Sequence, residues 1–307
     1  MTPSAFALSA YAADLAVDPW ESLPHAGGFS GARIWQSNGR RLKAWPRGDI
    51  SAEHLRDTHV WMRHAASLEF VPHVQPTKTG DTLVAESGWL WDLVTWMPGE
   101  PLLREPTPAR LAAAGRCLAR LHQSWQSCSP RMGACPAVHR RLHALQIPLG
   151  PERIDAQLQD RSVRPLIELA RRLIPGCRTE LQPWTRIELR LHPCLCDVWS
   201  DHVLFTNDDV SGLIDFGAAK IDHPAVDLAR LLGDCLVGEP NRWHSLLDAY
   251  HAIRPLTPAD HSLIAALERT GAVVAMLTWI VRLRDRAPLP AELERIEKLI
   301  LRCERMA

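Results

Sequence analysis

Neither sign of charge predominates in this chain: 35 Lys and Arg stand against 35 Asp and Glu over 307 residues. Without a basic excess there is little to neutralise a phosphate backbone, so a wholesale electrostatic nucleic-acid binder is excluded. No Cys-x-x-Cys pair occurs among the eight cysteines, which argues against zinc ribbons and thioredoxin-like redox sites. His192-Pro193-Cys194-Leu195-Cys196 sets three metal-ligating side chains at alternate positions but brings no fourth. The reading there is reduced, mostly buried thiols of a cytoplasmic protein. The longest uncharged apolar run near the C-terminus, residues 271–281, falls well short of the roughly 20 residues a membrane span needs. No Lys or Arg precedes the apolar run at the N-terminus, which predicts a packed helix there rather than a secretory signal. Internal repeats and low-complexity tracts are also missing.

What is present is the composition of a folded chain, 46% hydrophobic and 23% charged. Its length suggests about two domains. Residues 32–36 and 41–45 flank Ser37-Asn38-Gly39, a strong hairpin signal, and residues 81–86 and 89–95 flank Ser87-Gly88. Between the two pairs, residues 51–68 predict a helix capped by Ser51, with Leu55, Met62 and Ala65 or Ala66 on one side. Pro98-Gly99-Glu100-Pro101 then marks a linker, dividing a β-rich region 1–97 from a mainly helical region 98–307. Thr107 caps and Pro108 opens a helix with apolar residues at Leu111, Ala114, Leu118, Leu121 and Trp125. A second helix is predicted over 163–174, stopping at Pro175-Gly176. Alternation at Ile187, Leu189 and Leu191 predicts a strand, and residues 202–205 and 210–214 predict two more. From Pro224 onward the pattern is helical again, with breaks near residues 238–240, 254–255 and 286–290. The class is α+β.

The informative stretch begins at Asp197. An acidic residue before a loop, then a short hairpin, then Asp215-Phe216-Gly217 after an apolar strand, sets two carboxylates 18 residues apart in sequence. The first suits a proton acceptor for a substrate hydroxyl, and the second suits a holder of the divalent ion that bridges ATP phosphates. This segment, with Asp227-Leu228-Ala229 beyond it, resembles the aminoglycoside phosphotransferase and choline kinase family, relatives of the protein kinases.

The resemblance implies a bilobal protein-kinase-like fold, residues 1–97 forming the nucleotide-binding lobe and residues 98–307 the catalytic and acceptor-binding lobe. It implies ATP-dependent transfer of the γ-phosphate to a hydroxyl of a small molecule, with Mg²⁺ as cofactor. Asp197 takes the catalytic position and Asp215 the metal-binding one. A glycine-rich loop at residues 27–31, with Gly28, Ser30 and Gly31, would approach the phosphates, and Lys43 would pair with them. Thr95, Trp96 and Met97 would form the hinge that meets adenine. For the lysine's helix partner, Glu53 and Glu69 lie near the two ends of the predicted helix, and Asp57 is closer to its middle but shorter, so the partner stays unnamed. Two departures stand out. Leu195-Cys196 replaces the family's His-Gly before the catalytic Asp. His202 replaces the Asn that binds metal, which brings in Mn²⁺ as an alternative ion, since imidazole is a softer ligand than an amide oxygen. Asp201 beside it is expected to point away, as alternation along a strand requires. The alternative function is a kinase-like nucleotide- or partner-binding protein with weak or no catalysis. The partners expected are a small-molecule acceptor, no nucleic acid and no membrane, in the cytoplasm.

Overall fold

The structure is a computed structural model that describes residues 2–12, 14–23, 31–102, 106–146, 164–236, 239–283 and 290–304. An antiparallel sheet organises the first hundred residues: β1 (Glu21–Ser22), β2 (Arg33–Ser37), β3 (Arg40–Pro46), β4 (Val84–Glu86) and β5 (Trp89–Thr95), in spatial order β1-β2-β3-β5-β4. Asn38 and Gly39 (φ 44° and 71°) make the β2–β3 turn, and Ser87 and Gly88 (φ 48° and 81°) make the β4–β5 turn. Positive φ at both central residues matches the twist of the flanking strands, which is why Asn-Gly signals a hairpin. Helix α1 (Ala5–Tyr11), predicted as a packed N-terminal helix, sets Ala7, Leu8 and Tyr11 against Trp35, Leu42, Trp91 and Leu93 of the sheet. The Tyr11 hydroxyl donates to the Trp91 carbonyl at 2.8 Å. Helix α2 (Ala52–His64) covers the other face and is capped by Ser51, whose Oγ accepts from the His54 N–H.

The chain beyond Pro98 is mainly helical. It contains α3 (Pro108–Trp125), α4 (Pro136–Ala144), α5 (Arg164–Leu181), α6 (Ala225–Cys235), α7 (His244–His251), α8 (Pro258–Arg282) and α9 (Pro290–Glu304). Two small antiparallel sheets are set among them. One orders β10 (Asp209–Leu213), β9 (Val203–Thr206) and β6 (Glu100–Pro101). The other orders β11 (Lys220–Asp222), β8 (Leu189–Cys194) and β7 (Arg131–Gly133). Thr107 and Pro108 start α3 as expected.

Helix α5 corrects the expected stop at Pro175-Gly176, since it continues to Leu181. Its buried positions, Leu166, Ile167, Ala170, Ile174, Cys177 and Leu181, keep helical spacing through the proline. Pro175 itself is exposed, so packing outweighs the roughly 3 kcal/mol that an interior proline costs. Helix α8 is long and apolar enough to cross a membrane by length and composition, yet 61% of its apolar window is buried inside the protein. It is a core helix, flanked by α5, α6 and α9.

The largest apolar cluster does not stop at Pro98, and Glu100–Pro101 of the expected linker pair as a strand with β9. It runs from Trp61 and Met62 on α2, through Leu118 and Trp125 on α3, to Phe205, Leu213 and Phe216. Trp125 Nε1 donates to the Trp61 carbonyl at 2.8 Å, and its ring meets Phe216 edge-on. The phenylalanine that follows Asp215 is therefore fixed by the same core that seats α2.

Candidate active site

Alternation along β3 sends Leu42 and Ala44 toward α1 and turns Arg41, Lys43 and Trp45 to the opposite face. Lys43 is only 2% exposed, and its Nζ donates to Asp215 Oδ1 at 2.9 Å. The ammonium also lies 3.6 Å from the centre of the Trp45 ring. Burial lowers the lysine's pKa, and Asp215 works against that shift. Burial pushes the Asp215 carboxyl up, but the Lys43 charge and hydrogen bond, with His202 beside them, hold it below the usual carboxylate range. Among the described residues the contacts of Lys43 are thus Asp215 and Trp45, not Glu53, Asp57 or Glu69.

Asp215 follows β10 in a left-handed conformation (φ 60°, ψ 62°), a state that costs a side-chain-bearing residue roughly 1–2 kcal/mol. Two positions after it, a Cβ on Gly217 would come within 2.3 Å of the Trp45 ring, so glycine is what lets the indole lie this close.

Asp197 is delivered by β8 through Leu195 and Cys196. The backbone N–H groups of those two residues donate to Asp227 at 2.8 and 2.7 Å. Asp227 lies within α6, fully buried, so its structural role is to anchor this loop rather than to cap its own helix. Burial pushes its carboxyl up to about 7 despite the two backbone donors. His122 of α3 holds it from behind, with Nε2 2.9 Å from Asp227 Oδ2 and Nδ1 2.9 Å from the Tyr250 hydroxyl. His122, Cys194 and Asp227 lie close enough to hold an ion, but these hydrogen bonds already engage the histidine and the carboxylate.

Asp197 Oδ1 accepts from Trp199 Nε1 at 2.9 Å and lies 3.3 Å from Arg230 Nη2, whose guanidinium stacks on the Trp199 ring. Its Oδ2 has no partner among the described residues. His202 Nδ1 is 2.9 Å from the Asp197 carbonyl oxygen. A carbonyl only accepts, so Nδ1 is the donor in this contact and Nε2 is the nitrogen turned toward Asp215. That Nε2 lies 3.9 Å from Asp215 Oδ2. A histidine whose far nitrogen donates to backbone is oriented as metal-ligating histidines are, and with a carboxylate beside it the pair suits a divalent cation. Asp201, expected to point away, has Oδ1 3.8 Å from the same nitrogen. Residues 200–202 form a 3₁₀ turn here, so strand alternation does not apply.

Lys43, Asp215, His202 and Asp197 thus form one continuous line of contacts. Thr95, Trp96 and Met97, expected at the hinge, lie three to five positions beyond Asp92, the cross-strand partner of Lys43. The Trp96 N–H is taken by the Gly39 carbonyl and the Pro98 carbonyl by Ser211, while Pro98 itself has no N–H. The Thr95 N–H is taken by the His73 carbonyl, so among the described residues Met97 is the one of the three whose backbone N–H has no partner, its side chain packed on Gly212. Gly31 has φ 64° at the entry to β2, whereas Gly28 and Ser30 lie outside the described residues. Sequence reasoning missed His122, Arg230 and Trp199. The spacing of Arg230 from Asp227, one helical turn, was the available signal for the second of these.

Residues 22–261 match the phosphotransferase enzyme family. A homoserine kinase of Methylobacillus flagellatus is 30% identical over 271 residues, covering 81% of this chain and 77% of that protein. A homoserine kinase of Nitrobacter winogradskyi is 30% identical over 241 residues, 72% of this chain and 66% of that protein. Among solved structures, a microcompartment-associated aminopropanol kinase superposes with a TM-score of 0.71 at 14% identity, over 97% of this chain and 94% of that one. An aminoglycoside phosphotransferase of Alicyclobacillus acidocaldarius gives 0.67 at 16% identity, over 99% and 93%. With its protein-kinase-like α+β fold and its matching sequence, the chain belongs to the phosphotransferase enzyme family and transfers a phosphoryl group from ATP to the hydroxyl of a small molecule.

Proposed function

We propose that this enzyme phosphorylates a small hydroxy amino acid or amino alcohol, with Mg·ATP as donor. The observation that carries the reading is the unbroken contact line Lys43–Asp215–His202–Asp197, which joins a phosphate-binding cation, a metal-binding pair and a proton acceptor. The relatives named homoserine kinase support the acceptor class. Arg230 supplies a cation beside Asp197 for an acceptor that bears a carboxylate.

In this reading the acceptor hydroxyl meets Asp197 Oδ2, the oxygen left free when Trp199 and Arg230 occupy Oδ1. Asp197 takes its proton as the alkoxide oxygen bonds to the γ-phosphorus and the bond to the β-phosphate oxygen breaks, releasing ADP. Lys43 meets the phosphates. Asp215 and His202 would hold the divalent ion, which neutralises phosphate charge when bound. The loop with Gly28, Ser30 and Gly31 covers the phosphates, and the hinge Thr95–Trp96–Met97 meets adenine, with Met97 offering its N–H. Residues 1–97 act as the nucleotide lobe and residues 98–307 as the acceptor lobe, in a cytoplasmic enzyme with no nucleic-acid or membrane partner.

ADP release with L-homoserine, 3-aminopropan-1-ol, choline and an aminoglycoside as separate acceptors tests the assignment. L-homoserine is expected to give the highest kcat/KM, and 3-aminopropan-1-ol, which lacks only its carboxylate, a lower one. Equal turnover of those two would remove the carboxylate from recognition, and turnover of the aminoglycoside alone would contradict the acceptor class.

A further inference from the structure

A lysine that binds phosphates must be held in a narrow range of positions, and among the described residues no helix glutamate contacts Lys43. The nearest polar link from α2 to this part of the site runs elsewhere: His54 Nε2 meets the Gly217 carbonyl at 2.9 Å. What surrounds Lys43 instead comes from its own sheet. Its cross-strand partner on β5 is Asp92, which is 1% exposed. Asp92 accepts from Trp45 Nε1 and, at 3.2 Å, from Arg41. The Trp45 ring, pinned on one side by this hydrogen bond and on another by close contact with Gly217, presents its face to the Lys43 ammonium at 3.6 Å.

The charges balance. Arg41 and Lys43 are cations, Asp92 and Asp215 anions, and all four lie around one small cavity or against its wall. Asp215 would share its carboxylate between Lys43 and a metal ion if it held one. The indole face is held separately, by Asp92 and Gly217. An indole that donates its N–H to a carboxylate is richer in electron density, which strengthens its hold on a cation over the ring.

We propose that Trp45, fixed by Asp92, positions Lys43 for the nucleotide phosphates, so that an aromatic face replaces the helix glutamate in this enzyme. The inference rests on the reading of Lys43 as the phosphate-binding lysine. Trp45 is a positioning residue, acting through Lys43 and touching no substrate.

The test is the Kd of Mg·ATP, measured by calorimetry, with melting temperature followed in parallel. Lys43→Ala should weaken binding. Trp45→Leu, which removes the aromatic face, should raise Kd by about tenfold, the scale of a desolvated cation–π contact. Trp45→Phe keeps a face but loses the Asp92 link, and with Asp92→Asn should cost only a few-fold. In a Lys43→Ala background Trp45→Leu should add nothing, because both changes remove the same contact. A merely structural tryptophan would lower melting and leave Kd unmoved, or would add its full effect in the double variant. Glu53→Gln and Asp57→Asn should leave Kd unchanged. The inference is overturned if a helix variant matches Lys43→Ala, or if Trp45→Leu folds and binds as the parent does. Should Trp45→Leu fail to fold, unchanged Kd in both Trp45→Phe and Asp92→Asn overturns it equally. An unchanged Kd in Lys43→Ala would instead overturn the nucleotide-site reading beneath it.

Discussion

Cys196 holds φ at 62° immediately before Asp197, the carboxylate proposed to be catalytic, at the place where the family has glycine. Its N–H bond to Asp227 demands that turn, and a left-handed backbone costs a non-glycine residue roughly 1–2 kcal/mol. Cys196→Gly should therefore stabilise the fold by up to about 1 kcal/mol, less whatever the larger entropy of an unfolded glycine removes. Urea denaturation measures it, and a clear loss of stability would show that the cysteine's packing outweighs its strain. His202 makes a second residue-level claim. Imidazole suits Mn²⁺ better than Mg²⁺, which keeps to oxygen ligands. The ratio of Mn²⁺- to Mg²⁺-supported turnover should accordingly fall in His202→Asn. An unchanged ratio would make His202 a loop support that acts only through the Asp197 carbonyl.

At the scale of elements, β8 enters the site through a buried histidine. His192 Nδ1 donates to the Pro193 carbonyl at 2.8 Å, and its Nε2 accepts from Arg254 at 3.1 Å. Burial, and then the neighbouring His122, pull its pKa down to about 3. An unfolded histidine titrates near 6.5, so between about pH 6.5 and 3 the unfolded chain binds a proton that the folded one refuses. Stability is full above that window and falls as pH drops through it, by at most about 1.4 kcal/mol per pH unit for one such group. Denaturation curves from neutral pH to about pH 4 should show this slope, shallower in His192→Gln. A parent slope no steeper than the variant's would mean that His192 titrates normally.

The elements themselves were largely legible where the signal was local. Asn38-Gly39 and Ser87-Gly88 made hairpins because their φ values can be positive, and Ser51 and Thr107-Pro108 opened helices by capping. Signals that depend on packing were not legible. Helix α5 passes through Pro175 because its buried stripe continues beyond the proline. The His122–Asp227 anchor joins residues 105 positions apart. Asp197 and Asp215 could be found from spacing, yet the surroundings of Lys43 could not, because cross-strand register with Asp92 is set only once the sheet forms.

Across the whole molecule, the site is a junction. Lys43 comes from the N-terminal sheet, and Asp215, His202 and Asp197 from the chain beyond Pro98, while a single apolar cluster runs from α2 into the helices that seat them. In the proposed reading, phosphoryl transfer needs both sides at once: a nucleotide held against Lys43 and an acceptor held against Asp197. The sharpest test of that account separates binding from chemistry in one variant. Asp197→Asn keeps the shape of the side chain but cannot take the acceptor's proton, a loss worth roughly 10²–10⁴-fold in rate. Phosphorylated product formed from ATP and L-homoserine, followed by phosphorus NMR, should fall by that factor while the Kd of Mg·ATP stays at the parent value. Product formation at the parent rate by Asp197→Asn would contradict the assignment of Asp197 as the group that accepts the proton.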